Sequence, residues 1–441
     1  MFETLKNAFK VKDIRKKLFI TLLLLLAYRV CCYIPVPGLD STTFTEVIED
    51  NTFLELMNSV TGGSLANGTL FALGIGPYIN ASIIMQLLCV GIPALERMSK
   101  QGEEGKRKIA QITRFVALGL AIIQSIGIIL TFGDSALLTN YFWDQKWLLW
   151  IFMVVVYSAG AMLTIWLGER ITEYGIGNGI SLIIFLGIIS TAADTLVQTV
   201  MSAFPATNSE ITTFDFEPIL QVIIFCILAV FIFTLIVTVD LAERRIPVQY
   251  AKQMKGRKMY GGQSTVIPIK ISGSGVMPLI FSFAILSLPD LIMGLFFSSS
   301  SAYSWYTENF SGGSGMLGWL YILILCLLIF AFSFFYAQIQ FNPDDVSRSI
   351  QQNGGFIPGI RPGKPTADYL KKISNRITLF GAIYLSLVAF VPSLIFSFVG
   401  NSDLLSVFST TGILIVVSVA LEFDKQLQSA LMMKNYKGFL K

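Results

Sequence analysis

The sequence contains no histidine, and only 14% of its 441 residues are charged. Without histidine, the chain has no imidazole to ligate a metal or to exchange protons near neutral pH. A soluble domain carries roughly 25% charged residues, so the low charge argues against a soluble protein. The five cysteines all lie within or beside apolar segments, where they behave as small hydrophobic residues. The sequence therefore predicts neither a disulfide framework nor a metal site.

Motifs for nucleotide binding are also missing. Lys364 and Lys106 each follow a glycine, but Pro365 and Arg107 come next where a P-loop needs serine or threonine. The segment GIGNG at 175–179 is similar to a glycine-rich nucleotide loop, yet it directly precedes an apolar block. A loop-to-helix junction that needs the conformational range of glycine explains it better. We expect no cofactor.

Charged residues are rare in the apolar blocks, where only Arg29, Asp194 and Asp290 occur. Proton- and ion-coupled transporters usually place carboxylates or histidines inside the membrane, and an intramembrane enzyme needs convergent catalytic groups. The sequence argues against both classes and predicts no catalytic residue. Any energy for transport must then come from outside the chain.

Long apolar runs are what the sequence does contain: 54% of its residues are hydrophobic and the mean hydropathy is +0.68. A helix needs about 20 apolar residues to cross a hydrocarbon core of about 30 Å. Ten blocks approach or reach that length: Leu18–Ile34, Leu70–Ile92, Phe115–Phe132, Trp147–Leu167, Ile180–Val200, Ile219–Val239, Val276–Phe297, Met316–Ala337, Ile377–Val399 and Leu404–Leu421. The first is interpreted as a retained span, because IPVPG at 34–38 is not a small-residue cleavage site.

Basic residues fix the orientation of these spans. If the ten spans alternate in direction, 30 of the 32 lysines and arginines fall on one side of the membrane. The exceptions are Lys146, on the other side, and Arg29, within the first span. By the positive-inside rule the basic side is cytoplasmic, which places both termini in the cytoplasm. The same charge is expected to attract anionic lipids.

Three long connections carry further information. The first outer loop is too polar for a span and too apolar for a solvated linker, so it is either a half-buried re-entrant helix or an amphipathic helix on the outer surface. The loop 240–271 has two stretches of strand character, 245–251 and 264–271, which predict a hairpin with a basic tip. The loop 341–376 is rich in glycine and proline and is predicted to be a rigid, turn-rich excursion.

Spans two and seven share a pattern, since each begins after a glycine-rich segment and has a proline near its start, at Pro77 and Pro278. Such paired interruptions in the two halves of a membrane protein indicate a central pathway between repeats.

Three stretches give the chain its resemblance to a known family: FALGIGPYINASI at 71–83, GERITEYGIGNG at 168–179 and FIPGIRPG at 356–363. With the ten-span pattern, they identify the chain as similar to the SecY/Sec61-alpha family of protein-translocation channels, over essentially its whole length. The resemblance implies an all-α polytopic membrane protein with ten transmembrane helices, in two pseudo-symmetric five-helix halves around a central pore. The implied divisions are a cytoplasmic arm at 1–17, halves at 18–200 and 201–421, and a cytoplasmic tail at 422–441.

The resemblance also implies roles for individual residues, while the residues alone leave ordinary helix packing open for each isoleucine. The implied pore ring is Ile75, Ile79, Ile180, Ile184, Ile280 and Ile415, all isoleucine here. The implied plug, which we call the plug segment (residues 53–69), includes Met57, Ser59, Gly62, Gly63, Ser64 and Asn67. The implied lateral gate includes Asn80, Ser82 and Gln124, and the implied docking residues are Arg361, Arg244, Arg245, Lys252, Lys255, Arg257 and Lys258.

The expected function is that of a passive, regulated channel in the cytoplasmic membrane, which passes unfolded polypeptides across and releases apolar segments into the lipid. The partners implied by the resemblance are SecE, SecG, the SecA ATPase, the ribosome and unfolded polypeptides that carry signal sequences. No binding to DNA is expected. The rival functions are a secondary transporter and an intramembrane enzyme.

Overall fold

The computed structural model describes residues 2–37, 39, 58, 61–132, 146–202, 217–250, 253–255, 258–260, 264–271, 275, 277–297, 300–310, 317–399 and 410–438. Helices dominate these residues, because long apolar runs satisfy their backbone hydrogen bonds within each segment. The helices are α1 Phe2–Lys10, α2 Lys12–Cys31, α3 Gly76–Gly91, α4 Pro93–Ser99, α5 Glu103–Phe132, α6 Lys146–Tyr174, α7 Gly179–Ser202, α8 Glu217–Leu241, α9 Met277–Phe297, α10 Ser301–Asn309, α11 Gly318–Gln340, α12 Pro343–Gln352, α13 Lys364–Val399 and α14 Thr410–Gly438. The strands are β1 Glu243–Tyr250, β2 Gln253–Lys255, β3 Lys258–Tyr260, β4 Ser264–Lys270 and β5 Gly355–Phe356.

Each of the ten predicted apolar blocks overlaps one of these helices. Among the described residues, four helices are long and apolar enough to cross a membrane by themselves, namely Glu103–Leu130, Trp147–Tyr174, Gly318–Gln352 and Lys364–Phe390. The pair α3 and α4 supplies a fifth span if it is counted as one, although it is bent by 106° at Ile92. Pro93 explains the bend, because it has no backbone N–H and disfavours helical geometry in the residue before it.

The second span begins later than the sequence predicted. Its helix starts at Gly76, and residues 62–75 form turns, interrupted by an isolated bridge between Thr69 and Pro35. These turns are buried: Leu65, Phe71 and Ala72 have no exposed surface. The structure therefore favours the half-buried interpretation of the outer loop over a helix on the outer surface. Most of the residues on which a short helix was predicted lie outside the described ones, and Asn58 and Thr61 are helical. Met57 and Ser59 lie outside the described residues.

The hairpin predicted in the loop 240–271 is confirmed. Strands β1 and β4 pair antiparallel, with Ile246 opposite Ile267 and Val248 opposite Thr265. Successive side chains of β1 point to opposite faces of the sheet, so Ile246 and Val248 are buried on one face, where they pack with Ile350, Ile357 and other apolar residues. The strands β2 and β3 form a small separate pair towards the tip, and Lys252 and Arg257 lie outside the described residues.

The loop 341–376 contains more regular secondary structure than predicted. Its first part is the helix α12, capped by Asn342, whose side-chain oxygen accepts a hydrogen bond of 3.2 Å from the backbone N–H of Asp344. Its next part, β5, pairs with β1 and makes the sheet three-stranded, in the order β4-β1-β5. The two long loops, 240–271 and 341–376, therefore belong to one sheet and share one apolar core.

By its internal contacts the chain divides into two compact units. The first consists of Met1–Ile224, Leu286–Trp319 and Phe396–Lys441. Its largest apolar cluster includes Leu65, Leu73, Ala121 and Tyr157, and a second cluster joins α1 to α14 through Ala8, Ile14, Ile176 and Leu427. The second unit consists of Phe225–Ile285 and Leu320–Ile395, and it contains the sheet. The predicted halves at 18–200 and 201–421 stay a prediction.

Candidate functional site

An open cavity of about 920 Å³ lies within the first unit, at the end of the helices where α2, α5, α6 and α14 carry charged residues. Its walls are Lys17, Tyr78, Arg114, Trp166, Glu169, Arg170, Thr172, Glu173, Gly175–Asn178, Ile180, Glu422, Gln426 and Ala430. Ile180 is one of the predicted pore residues, and Tyr78 directly precedes another, Ile79. The cavity is therefore the best candidate for the mouth of a pathway.

The charges around the cavity balance one another, since three basic side chains face three acidic ones. The Nε of Arg114 donates to the Oε1 of Glu169 at 2.6 Å, which joins α5 to α6. Arg170 donates to Glu173 at 2.7 Å and lies over the ring of Trp166, 5.4 Å from its centroid. Because the charges are equal in number and Arg114 and Arg170 are each paired, the wall presents no strong field of one sign.

The glycine-rich segment 175–179 forms one wall of the cavity and connects α6 to α7. The hydroxyl of Thr21 accepts a hydrogen bond of 3.1 Å from the N–H of Ile176, and that of Thr172 accepts one of 2.8 Å from the N–H of Gly179. The prediction of a loop-to-helix junction is confirmed. The glycines permit close packing here, because a Cβ on Gly179 would overlap the carbonyl oxygen of Gly168.

We expect the variant Gly179→Ala to have a clearly lower melting temperature in detergent than the parent protein. An added methyl group would have to displace the backbone of Gly168, and overpacking of this kind costs about 1–3 kcal/mol. The matched control is Gly119→Ala in α5, where a Cβ would meet no atom within 4 Å. That control is expected to keep or slightly raise the melting temperature. Equal melting temperatures for the two variants would contradict the tight junction.

The six predicted pore isoleucines occupy different parts of the fold. Ile75 is buried and lies just before α3, whereas Ile79 is half-buried within it. Ile180 and Ile184 are on one face of α7, and Ile415 is buried in α14. Ile280 is half-buried in α9, within the second unit. Their shared role as a ring stays a prediction.

The plug segment is described from residue 61 onward and at Asn58. Gly62 and Gly63 have φ values of +71° and +82°, a region that favours glycine. The hydroxyl of Ser64 donates to the carbonyl of Thr61 at 2.9 Å, and the amide of Asn67 donates to the carbonyl of Gly63 at 3.0 Å. Local hydrogen bonds thus give this part of the segment a defined shape.

The three predicted gate residues lie on α3 and α5, which pack through Ala81 and Ala117. Asn80 is half-buried. Ser82 accepts a hydrogen bond of 3.2 Å from Gln86 of its own helix. Gln124 is buried, and its Oε1 has no hydrogen-bond partner among the described residues.

The predicted docking residues belong to the second unit. Arg361 is exposed beside an open cavity of about 540 Å³, lined by the loop 354–362 and Gln351. Buried hydroxyls fix this loop: Thr366 donates to the carbonyl of Arg361 at 2.8 Å, and Ser347 donates to that of Gly363 at 2.7 Å. Sequence reasoning missed these two anchors. The signal available was a hydroxyl residue on each side of a glycine- and proline-rich loop.

The basic residues of the hairpin differ from one another. Arg244 is exposed in β1, and Arg245 is paired with Glu243 at 2.7 Å. Lys255 and Lys258 lie opposite each other in β2 and β3.

Comparisons with known proteins agree with this geometry. The family model described as SecY matches residues 69–423. The chain is 40% identical to the protein translocase subunit SecY of Streptomyces galbus over 455 aligned residues, covering all of both chains.

Solved structures share the fold at lower identity. One has a TM-score of 0.65 at 20% identity. It is described as showing that the plug domain of the SecY protein stabilises the closed state of the translocation channel and maintains a membrane seal. It covers 94% of this chain and 92% of that one. Another, described as Sec61 in the canine ribosome-channel complex from the endoplasmic reticulum, has a TM-score of 0.60 at 17% identity, with the same coverage.

Proposed function

Because the chain belongs to the SecY family, we propose that it is the channel-forming subunit of a protein translocase, which passes unfolded polypeptides across the cytoplasmic membrane and inserts membrane proteins into it. The observation that carries the proposal is the open, charge-balanced cavity that has Ile180 in its wall. It combines an entrance lined by paired charges with an apolar residue predicted to form the waist. No catalytic step is assigned to the chain itself.

The mechanism follows from the physical chemistry of an apolar constriction. A ring formed by the six isoleucines would exclude ions, because an ion crossing it loses hydration and gains no ligand. The same branched side chains offer a moving polypeptide no hydrogen bonds. The plug segment would add a second seal on the outer side in the resting channel.

The orientation is that predicted from the basic residues, with both termini in the cytoplasm. The packing of α1 against α14 supports it, since the two terminal helices meet at the same end of the first unit. That end also carries the cavity, so the cavity would open to the cytoplasm, where unfolded chains arrive.

The partners would be SecE and SecG as small membrane subunits, with SecA or the translating ribosome as the source of driving force. Arg361 and the basic hairpin would provide the docking surface, because the loop of Arg361 and the hairpin pack in one apolar cluster. A rigid surface of this kind loses little conformational entropy when a partner binds. Anionic lipids would contact the basic cytoplasmic side.

The direct test of the proposal is reconstitution into proteoliposomes with SecE and SecA. We expect ATP-dependent protease protection of a protein that carries a signal sequence, and none when SecA, ATP or the signal sequence is omitted. Uptake of a small solute by the purified chain alone, with no import of protein, would favour the rival function of a secondary transporter.

The lateral gate gives a further prediction. The variant Asn80→Leu is expected to shift the open–closed balance by about 1 kcal/mol, or roughly fivefold, as for other interhelical hydrogen bonds in membranes. The measurement is the signal-sequence hydrophobicity needed for export. The control is Thr234→Ala in α8, because Thr234 is outside the predicted gate and its described hydrogen bond, to the carbonyl of Val230, stays within its own helix. An unchanged threshold in Asn80→Leu would show that Asn80 does not contribute to the gate.

A further inference from the structure

Arg29 is a basic residue within an apolar block, at a place where a charge is costly. It lies in the last turn of α2, where the helix dipole favours a cation. Its side chain is largely buried, with 20% of its surface exposed. A cation kept in this position needs specific partners, and their identity indicates what it does.

The shortest of its hydrogen bonds is to the plug segment. The Nη1 of Arg29 donates to the carbonyl oxygen of Gly62 at 2.8 Å, across 33 residues of sequence. The Nη2 donates to the hydroxyl of Tyr33 at 3.0 Å and lies 3.7 Å from the Oδ2 of Asp194 in α7. Asp194 is 61% exposed, so this ion pair is weak. The bond to Gly62 is the strongest of the three, because it is short and charge-assisted.

The position of Gly62 is tightly defined. Its φ is +71°, and a Cβ placed on it would lie 2.8 Å from the Nη1 of Arg29 and 3.1 Å from the Cα of Gly187. The backbone of Gly62 therefore lies close to both the guanidinium of Arg29 and the backbone of α7.

Other residues of the plug segment contact the chain near Arg29. The N–H of Val36 donates to the carbonyl of Gly68, and that of Leu70 to the carbonyl of Ile34, each at 3.0 Å. Further along, the rings of Tyr28 and Phe71 stack with centroids 5.4 Å apart. Among these contacts, only the one from Arg29 is made by a charged side chain that also has other partners to keep.

We propose that Arg29 is the positioning residue of the plug segment, holding it in the closed place through the carbonyl of Gly62. When the plug segment moves away, the guanidinium of Arg29 keeps its contacts with Tyr33 and Asp194, so it is not left buried without partners. The bond can therefore break and reform reversibly. This proposal rests on the proposed function, in which the segment seals the resting channel.

The test measures how often the segment leaves its place. Ser64 has no exposed surface. A cysteine placed there, after the five native cysteines are replaced by serine, should react with a membrane-impermeant maleimide only when the segment is displaced. The labelling rate then tracks the displaced population. The protein is the channel reconstituted with SecE and SecG, and resting ion conductance in planar bilayers is recorded for the same variants.

We expect Arg29→Met to raise the labelling rate by about tenfold or more, since one charge-assisted hydrogen bond corresponds to a population change of roughly that size. Arg29→Lys should fall between Met and the parent, because an ammonium can keep one of the three partners. The control Asp194→Asn should stay close to the parent, because Asp194 does not bond the segment in the described structure. A cysteine at the exposed position Asn67 should label at the same rate in every variant.

The outcomes separate this proposal from the proposed function. Faster labelling with a larger resting conductance supports both. Faster labelling at unchanged conductance supports the role of Arg29 but contradicts a seal formed by the plug segment. Unchanged labelling in Arg29→Met overturns the role of Arg29, whatever the conductance. If the Met variant does not fold, Arg29→Gln decides, since its shorter, uncharged side chain loses the charge-assisted bond. Equal labelling in that variant and the parent also counts against the proposal.

Discussion

Changing Ile79, Ile280 and Ile415 together to asparagine is expected to raise the resting ion conductance of the reconstituted channel by about tenfold or more, since each 1.4 kcal/mol removed from a crossing barrier is worth a factor of about ten. The amides would hydrate the constriction and give a passing ion replacement ligands. We also expect relaxed signal-sequence selectivity, because a hydrated waist stabilises the closed channel less. Single-channel recording in planar bilayers measures the conductance.

Two sets of controls accompany this triple variant. Leucine at the same three positions keeps the constriction apolar and should leave the channel ion-tight. Asparagine at the exposed isoleucines Ile123, Ile151 and Ile383, which are 52%, 54% and 41% exposed, should leave conductance unchanged if the protein folds. A triple asparagine channel as ion-tight as the parent would mean that Ile79, Ile280 and Ile415 are ordinary helix-packing residues.

The variant Arg361→Glu is expected to reduce SecA-driven import by at least about tenfold while leaving folding intact. The side chain is exposed, and the loop is anchored through backbone carbonyls that accept from Thr366 and Ser347, so the substitution removes a docking charge without removing an anchor. Reversing a charge at an interface costs several kcal/mol through like-charge contact. The measurement is ATP-dependent import into proteoliposomes.

Lys364→Glu is the matched control, since it makes the same change of charge three residues away at another exposed position. We expect a smaller effect there, with a stronger dependence on salt, as for other solvated charges. Undiminished ATP-dependent import by Arg361→Glu, at normal protein levels, would defeat the docking role.

The sequence predicted the parts of the fold that follow from a repeating pattern. Apolar runs of span length indicated the helices, and alternation of apolar residues placed β1 and β4 within two residues of their observed ends. The family's SecY-type channel fold followed from motifs that extend across the chain. Burial imposes these patterns on many residues at once, which is why they can be read locally.

Features set by a few residues were missed. The strand β5 has two residues, too few for any pattern, and it exists because β1 offers it a free edge. The helix α12 was hidden by the glycine and proline content of the loop, although Asn342, Pro343 and two aspartates form a recognisable N-terminal signal. The turns at 62–75 depend on contacts from α2 that no local pattern records.

In the candidate site, too, some features were predicted from the sequence and others were missed. The segment 175–179 was predicted as a junction from its glycines, whereas the hydroxyls of Thr21 and Thr172 that hold it could not be assigned from sequence. Arg29 stood out as a charge in an apolar block, but its bond to Gly62 joins positions 33 residues apart. Contacts of this kind depend on how the helices pack, which a single sequence does not specify.

Crosslinking of a polypeptide arrested during import tests the central claim most directly. A photoreactive amino acid would replace, one at a time, Ile79, Ile180 and Ile415, and as controls the exposed residues Phe115 and Ile151. If this chain forms the pathway, the arrested polypeptide should crosslink to the three isoleucine positions, only when SecA and ATP are present, and not to the controls. Crosslinks confined to the controls, or to none of the five positions while import proceeds, would contradict a route through the centre of this chain.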